Sequence, residues 1–364
     1  MLTMESFSGN TIQSEGRQYS YFAGNNYLGL ANHPELIRAA NEGIRNYGLN
    51  FAASRQTTGT SAIHLELEGL LARFKQQDDA IVFASGYLGN KILLQALKGD
   101  YDAIFADQSA HSSVIDGFPS DISNIYFYEH RNVIDLEHII RKHKSIKPLV
   151  ITDGIFALTG EIAPLNEIYP IVEKYNGLLV VDDAHATGVL GENGKGTPEY
   201  FHLDHSPRIF QTETMSKAIG VYGGFISANK AVVQKIRENS HVYGASTALP
   251  PPMVAAACAA IKLIANEPER REKMLMNALK IREGVKDLGY NTTNSVAPII
   301  PLMFDNQNDA SGLSDYLKTK GMIAPFVTYP VKTVQYIVRI TVSATHTEQQ
   351  INELLNALEV WKKW

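Results

Sequence analysis

The sequence predicts an α/β protein, with a mainly parallel β-sheet flanked by helices on both faces and a smaller α+β domain in the C-terminal third. Short apolar runs alternate with helix-spaced stretches through the middle of the 364-residue chain, which is the pattern of strand-helix-strand crossovers. The runs are almost continuously apolar, as are strands buried on both faces. After Pro250, Pro251 and Pro252 this alternation ends.

The predicted elements follow in chain order. Strands of the sheet are expected at 80–84, 103–107, 124–128, 148–153, 178–182, 208–212 and 223–227. Apolar residues three or four apart predict the helices between them. The smaller domain is expected to hold helices over 253–265 and 269–288, strands over 297–304 and 336–343, and a last helix from 347 onward. We expect a segment over 1–49 that packs with the small domain, a large domain over 50–250 and a small domain over 251–364.

Composition excludes several classes of protein. A net charge of -5 without a dense Lys/Arg block gives no electrostatic footprint for nucleic acid or an anionic membrane. Cys258 is the only cysteine, so no intramolecular disulfide can form, and its apolar surroundings predict a buried structural thiol. The N-terminus lacks a signal-peptide pattern, and no window approaches the roughly 18 apolar residues of a spanning helix. A soluble cytoplasmic protein is expected.

Polar residues lie at or just after the ends of the predicted strands. They are Ser85, Asp107, Asp153, Asp182 and Thr214. Ligands of open α/β sheets bind outside the carboxyl ends of the strands, so these positions are where a site is expected.

VVDDAHATG places Asp182, Asp183 and His185 at one strand end. A metal site is disfavoured because no third and fourth ligands stand at usable spacing, so no metal is predicted. A structural role, in which Asp182 caps the turn, stays open. The preferred interpretation is a carboxylate and an imidazole that hold an organic cofactor.

TETMSKAIGVYGG places Lys217 beyond another strand end. Most lysines lie on the surface, and this one could be among them. Flanking glycines, however, let the backbone approach a ligand, and Thr214 and Ser216 offer hydroxyls to a phosphate. A lysine amine beside a phosphate and an aldehyde is the Schiff-base arrangement, which points to pyridoxal phosphate.

Three further positions fit such a site. Ser85 and Gly86 precede a helical run, so free backbone N–H groups are expected to meet a phosphate at a helix N-terminus. His111 follows a strand and could stack on a pyridine ring, or be a structural histidine. Arg339 lies within an apolar strand and needs a negative partner, either a distant carboxylate of the chain or the carboxylate of a substrate.

With these positions assembled, the chain resembles the α-oxoamine synthases, pyridoxal-phosphate enzymes of aspartate aminotransferase fold (fold type I). The resemblance is collinear over nearly the whole chain. It is carried by GNNYLGLANHPELI, SRQTTGTSAIHLELEGLLARF, SGY, DQSAHSSVIDG, TDGIFALTGEIAPL, VDDAHATGVLGENGKG, TMSKAIGVYGG, STALPP and Arg339.

The resemblance implies a role for each matching residue around the cofactor. Lys217 would bind the cofactor covalently and move the α-proton, Asp182 would pair with the pyridinium nitrogen, and His185 would bond the ring 3-oxygen. His111 would stack on the ring and help to orient the substrate. The remaining positions of the implied cofactor site are Ser85, Gly86, Tyr87, Asp153, Thr214 and Ser216, with the Gly86 and Tyr87 N–H groups and the two hydroxyls on the phosphate.

Other matches concern the subunits and the substrate. Ser246 and Thr247 match residues that reach the phosphate from the other subunit, which implies a homodimer. Asn25 and Arg339 match substrate-binding positions, the latter for the carboxylate. The implied reaction condenses glycine, alanine or serine with an acyl-CoA, releasing CoA and, after decarboxylation, an aminoketone. A transaminase or a cofactor-binding protein without catalysis are the alternatives.

The chain departs from the family pattern at several positions. Ala157 stands where a serine is usual, and Asp153 where some subfamilies have glutamate. The N-terminus is short and lacks the arginine that pimelate-using members offer to the acyl carboxylate. NNYLGLANHPELI, TDGIF and GENGKG resemble 2-amino-3-ketobutyrate CoA ligase, SRQTTGT resembles serine palmitoyltransferase, and EIAPL is shared with 8-amino-7-oxononanoate synthase, so the acyl substrate stays open.

Overall fold

The computed structural model describes residues 2–6, 9–143, 147–327 and 335–363. The strands are β1 (Thr11–Ser14), β2 (Arg17–Tyr21), β3 (Asp79–Phe83), β4 (Ala103–Asp107), β5 (Ile125–Tyr128), β6 (Pro148–Asp153), β7 (Leu178–Asp182), β8 (Ile209–Thr214), β9 (Gly224–Ala228), β10 (Ile299–Phe304), β11 (Met322–Ile323), β12 (Phe326–Val327) and β13 (Tyr336–Thr341). The α-helices are α1 (Pro34–Tyr47), α2 (Ala62–Lys75), α3 (Gly89–Ala96), α4 (Ser112–Ile115), α5 (Val133–His143), α6 (Leu165–Lys174), α7 (Thr197–Tyr200), α8 (Lys230–Asn239), α9 (His241–Ala245), α10 (Pro251–Asn266), α11 (Glu269–Asp287), α12 (Gln307–Thr319) and α13 (Glu348–Lys362). A short 3₁₀ helix spans Gly86–Leu88.

The chain divides into two compact units. The larger comprises Pro34–Phe156 and Ile162–Asn266, and the smaller comprises Met1–His33, Ala157–Glu161 and Glu267–Trp364. The predicted boundaries at 49/50 and 250/251 differ from this division, since α1 and α10 both belong to the larger unit. The reason is packing: a Cβ on Gly43 of α1 would lie 3.0 Å from the Ala255 Cβ of α10, so the two helices are in close contact.

The larger unit is built on a seven-stranded sheet. Its strand order is β3-β9-β8-β7-β6-β4-β5. The five strands from β8 to β5 run parallel to one another, and β9 pairs antiparallel with both β8 and β3. The strands lie within one or two residues of the predicted ranges. The predicted mainly parallel sheet is therefore confirmed.

Both faces of this sheet are buried. Side chains alternate between faces along a strand, and successive residues of β4 accordingly fall into different apolar clusters, Ile104 with Leu93 and Phe105 with Leu136. Leu93 comes from α3 and Leu136 from α5, so helices cover the sheet on each side. Such continuous burial explains why the strands read as unbroken apolar runs.

The smaller unit has two three-stranded sheets, β1-β2-β11 and β10-β13-β12. Its core joins residues of α11, α12 and α13 to the inner face of β10 and β13, for example Ile281, Leu313 and Leu354 with Ile300 and Ile340. This is the predicted α+β region, with β1 and β2 added from the N-terminus.

Candidate active site

Asp182 lies at the carboxyl end of β7, in the middle of the large sheet. In the strand register it stands beside Asp153 of β6 on one side and Thr212 of β8 on the other. Its Oδ2 accepts hydrogen bonds from Asn90 Nδ2 at 2.7 Å and from the Ser113 hydroxyl at 3.2 Å, and its Oδ1 accepts from the backbone N–H of Ala184 at 3.2 Å. Asn90 and Ala184 thus hold the carboxylate in one orientation, and the Ser113 hydroxyl lies within hydrogen-bond distance of it.

Asp183 faces a different set of partners. Its Oδ2 accepts from the backbone N–H of Thr197 at 2.9 Å and from Gln211 Nε2 at 2.7 Å, and its Oδ1 accepts from the Thr197 hydroxyl at 2.6 Å. Because neighbouring side chains of a strand end point to opposite sides, Asp183 serves the structure and Asp182 faces the candidate site. His185 is buried in the turn that follows.

His111 precedes α4 as its N-cap, close to the same strand ends. Its Nδ1 lies 2.8 Å from Ser113 Oγ and accepts the backbone N–H of Ser113 at 3.2 Å, while its own backbone N–H donates to Asp153 Oδ1 at 3.0 Å. Burial lowers the pKa of the imidazole; Asp182 and Asp116 raise it, and Lys217 lowers it. The ring of Tyr87 packs edge-on against it, with centroids 6.1 Å apart.

Asp153 is a buried carboxyl group with a close acidic neighbour. Burial raises its pKa well above the ordinary value and Asp182 adds to the rise, while the backbone N–H of His111 and the charge of Lys217 oppose it. In this position the carboxyl group fixes the backbone of His111. Its predicted role in cofactor binding stays a prediction.

Lys217 lies in a tight loop between β8 and β9. Met215 N–H donates to Gly223 O at 2.9 Å, Ser216 N–H donates to Thr214 Oγ1 at 3.1 Å, and that hydroxyl donates to Gly223 O at 3.1 Å. The half-buried Lys217 ammonium is near enough to lower the pKa of both His111 and Asp153. The structure therefore brings together the lysine, the carboxylates and the imidazole that the sequence singled out.

Gly86 and Thr214 are in close contact. A Cβ built on Gly86 would lie 2.5 Å from Thr214 Cβ, and one on Gly224 would lie 2.7 Å from the Gly86 nitrogen. Ser85 caps the 3₁₀ helix by accepting the Tyr87 N–H at 3.3 Å. A glycine-lined turn beside Thr214 and the exposed Ser216 hydroxyl is suited to a phosphate. With Lys217 and Asp182 it makes a donor set that fits pyridoxal phosphate.

Ser246 and Thr247 follow α9. Ser246 Oγ donates to Val242 O, and the exposed Thr247 forms an isolated bridge with Ser54. Their assignment to a second subunit stays a prediction.

Sequence reasoning missed the polar residues beneath the site. Asn90 and Ser113 are 0% and 3% exposed, and Thr212 donates to Asn90 Oδ1 at 2.8 Å. The only signal in the sequence is Asn90, a polar residue in the apolar face of the helix GNKILLQA. The sequence alone does not show which residue it contacts.

Arg339 belongs to the smaller unit, on β13. Its Nε donates to Ala157 O at 2.7 Å and its Nη2 to Asn25 Oδ1 at 3.1 Å, and Tyr27 OH donates to the same Oδ1 at 3.2 Å. Among the described residues no Asp or Glu pairs with it, so the salt-bridge alternative is not what the structure shows. Burial lowers the pKa of Arg339 and raises that of Tyr27 to about 12. The guanidinium is held by neutral acceptors, with its charge left for another group.

Known proteins resemble this chain in sequence. Residues 19–358 match the model of the aminotransferase class I and II family. The chain is 36% identical over 358 residues to 8-amino-7-oxononanoate synthase 1 of Bacillus subtilis (strain 168), covering 98% of this chain and 91% of that one. It is 37% identical over 362 residues to 8-amino-7-oxononanoate synthase of Thermoanaerobacter pseudethanolicus, covering 99% and 91%.

A solved structure agrees with these relatives. Serine palmitoyltransferase from S. paucimobilis with a bound PLP-myriocin aldimine superposes with a TM-score of 0.94 at 28% identity, over 100% of this chain and 92% of that one. The chain belongs to the aminotransferase class I and II family, as an α-oxoamine synthase. The predicted family, fold type, enzyme class of pyridoxal-phosphate-dependent acyltransferase and cofactor are confirmed.

The geometry of the described residues bears on metal ligands and on membrane-spanning helices. Within these residues no group of three or more His, Cys, Asp or Glu side chains is arranged to hold a metal ion. In the same residues no helix has both the length and the apolar character needed to cross a membrane.

Proposed function

We propose that this α-oxoamine synthase condenses glycine, alanine or serine with an acyl-CoA and releases CoA and carbon dioxide, acting as a homodimer. At the coarser level, the family condenses an amino acid with an acyl thioester. The observation that carries the proposal is the convergence of Lys217, Asp182 and His111 at the ends of β7, β8 and β4. A lysine, a fixed carboxylate and an imidazole are the groups this chemistry requires.

When bound, pyridoxal phosphate supplies an electron sink that stabilises negative charge at the α-carbon of the amino acid. Asp182 would keep a proton on the ring nitrogen, and the donors Asn90 Nδ2 and Ala184 N–H hold the carboxylate in place for that task. The glycine-lined turn at Gly86 and the hydroxyls of Thr214 and Ser216 would hold the phosphate. Together these residues would fix the position of the cofactor.

Lys217 is assigned two roles. Its amine would hold the cofactor, and when free it would act as the base that takes the proton from the α-carbon of the amino acid. Its charge lowers the pKa of both His111 and Asp153, so the amine lies near the groups that would surround a bound ring. His111 would lie against the face of the ring, and the family resemblance assigns it orientation of the substrate and the acyl group.

Arg339 is assigned the carboxylate of the amino acid. Its guanidinium is oriented by Ala157 O and Asn25 Oδ1, which are neutral, and a planar guanidinium matches a carboxylate with two parallel hydrogen bonds. Neutral acceptors position the group without neutralising it.

A substrate matrix tests the reaction. Glycine, alanine and serine are each combined with short, dicarboxylic and long acyl-CoAs, and release of the free CoA thiol is measured, with Lys217→Ala protein as the control. At least one pair should release thiol in the wild type and none in the variant. Conversion of a keto acid without CoA, and no thiol release with any pair, would indicate a transaminase instead.

The homodimer is tested by subunit complementation. Lys217→Ala and Thr247→Ala proteins are each expected to have little activity, and mixed dimers should regain activity because one of the two sites then has both residues. Mixing without recovery would contradict the assignment of Thr247 to the neighbouring subunit's site.

A further inference from the structure

The hydroxyl of Ser113 lies between two residues of the candidate site. Its Oγ is 2.8 Å from His111 Nδ1 and 3.2 Å from Asp182 Oδ2, and Asn90 Nδ2 donates to it at 3.2 Å. Both Ser113 and Asn90 are buried, so the contacts are not shared with bulk water. One hydroxyl therefore contacts the imidazole and the carboxylate at once.

A hydroxyl has only one proton, so Ser113 cannot donate a hydrogen bond to both neighbours. A serine hydroxyl donates one hydrogen bond and accepts two. Asn90 fills one acceptor position, so the single proton of Ser113 can point to His111 Nδ1 or to Asp182 Oδ2, but not to both. When Nδ1 carries a proton it donates to Oγ, and the hydroxyl turns to Asp182. When Nδ1 is bare it accepts from Ser113, and Asp182 keeps only its other donors.

We infer that Ser113 is a positioning residue whose hydroxyl couples the protonation state of His111 to the hydrogen bonding of Asp182. The inference rests on the proposed function for the use of both residues in binding the cofactor, and it deepens that function. A proton on His111 adds a hydrogen bond to Asp182, and a bare His111 nitrogen removes one. The proposed contacts of His111 and Asp182 with the cofactor ring would therefore change together.

The groups around His111 fix the direction of the expected effect. Asp182 of β7 and Asp116, which follows α4, favour its charged form, and Lys217 of the β8-β9 loop disfavours it. Asp153 of β6 accepts a hydrogen bond from its backbone, and the ring of Tyr87 packs against it. Without the Ser113 hydroxyl, the remaining partner of Nδ1 is the backbone N–H of Ser113, which is a donor and requires a bare nitrogen.

Loss of the hydroxyl therefore penalises the imidazolium more than the neutral ring, because hydrogen bonds from a charged donor are roughly twice as strong. Ser113→Ala is expected to lower the pKa of His111, so that the ratio of protonated to neutral imidazole at a given pH falls roughly tenfold. The variant should also hold the neutral ring with its proton on Nε2.

The test is ¹⁵N NMR of histidine-labelled full-length protein, with and without pyridoxal phosphate, in which the His111 signals are assigned by their loss in His111→Gln. Wild type and Ser113→Ala are titrated with pH, together with Ser113→Thr, which keeps the hydroxyl. Ser112→Ala is the matched control, because Ser112 is the adjacent residue of α4 and its hydroxyl has no hydrogen-bond partner among the described residues.

The expected result is a lowered pKa in Ser113→Ala, with wild-type behaviour in Ser113→Thr and Ser112→Ala. An unchanged pKa and tautomer in Ser113→Ala, or an equal change in Ser112→Ala, would overturn the inference. If Ser113→Ala does not fold, Ser113→Cys, a weak donor of similar size, takes its place with the same expectation. The titration needs no turnover, so its failure and the absence of CoA release are separate outcomes.

Discussion

The amide of Asn90 donates from Nδ2 to Asp182 Oδ2 at 2.7 Å, and its Oδ1 accepts from Thr212 Oγ1 at 2.8 Å. These two hydrogen bonds join α3 to β7 and β8, the two strands that lead to Asp182 and Lys217. Asn90 thus fixes the Asp182 carboxylate relative to both strands.

Replacing Asn90 by Ala removes a donor from Asp182 and leaves the Thr212 hydroxyl buried without its partner. An unsatisfied buried polar group costs about 1–3 kcal/mol, so the free energy of unfolding should fall by that amount. Cofactor affinity, measured by absorbance titration, should fall about tenfold because Asp182 is less well held. Asn352→Ala at an exposed position of α13 is the control, and an equal loss of affinity there would contradict the role of Asn90.

Gly86→Ala tests the turn beside Thr214. The added methyl would lie 2.5 Å from Thr214 Cβ, a distance that forces the turn away from β8. Cofactor affinity should fall at least about tenfold, since ligand geometry is lost with the close approach. Gly69→Ala, in the middle of α2, meets only the end of the Arg73 side chain at 3.4 Å and should stabilise the helix by about 0.5–1 kcal/mol. A Gly86→Ala protein that binds cofactor normally would contradict the assigned phosphate site.

Arg339→Ala should weaken amino-acid binding and leave the cofactor absorbance unchanged. Removing one partner of a buried charge pair costs about 2–5 kcal/mol, so KM for the amino acid should rise at least about tenfold. Arg339→Lys should restore little, because one ammonium cannot reproduce the contacts to both Ala157 O and Asn25 Oδ1. Loss of the cofactor in Arg339→Ala would instead identify a structural arginine.

His346 makes the smaller unit sensitive to acid. The ring is 2% exposed, stacks on Phe22, and uses both nitrogens, accepting Ser343 N–H at 2.9 Å and contacting Tyr21 O at 3.0 Å. Burial lowers its pKa from 6.5 to about 4. The unfolded chain therefore binds this proton first, and stability falls as pH drops from about 6.5 to about 4, by roughly 3 kcal/mol from this residue.

Denaturant unfolding at several pH values tests this dependence. His346→Gln should be less stable than wild type at pH 7 but should lose less stability between pH 6.5 and pH 4. The exposed His205 is the control, and His205→Gln should keep the wild-type pH dependence. An unchanged pH slope in His346→Gln would show that another group controls acid unfolding.

The sequence was informative wherever a signal is local. Strands buried on both faces are apolar runs, and the residues after them, Asp182 and Lys217 among them, were found by position alone. The sequence did not show that α1 and α10 belong to the same compact unit, because their close packing at Gly43 joins segments about 200 residues apart. Asn90 and Ser113 were missed for the same reason: each is an ordinary polar residue until folding places it against Asp182.

The choice between Asp182 and Asp183 shows the same limit. The sequence offers two adjacent carboxylates, and the resemblance assigned the first. The structure supplies the physical reason, since Thr197 and Gln211 satisfy Asp183 from elsewhere in the larger unit.

The most direct test of the account is the covalent attachment of the cofactor to Lys217. Purified protein with pyridoxal phosphate should show a visible absorbance band that borohydride bleaches, and mass spectrometry of the reduced protein should place the adduct on Lys217. Lys217→Ala should show no such band. An adduct on another lysine, or none, would contradict the assignment of Lys217.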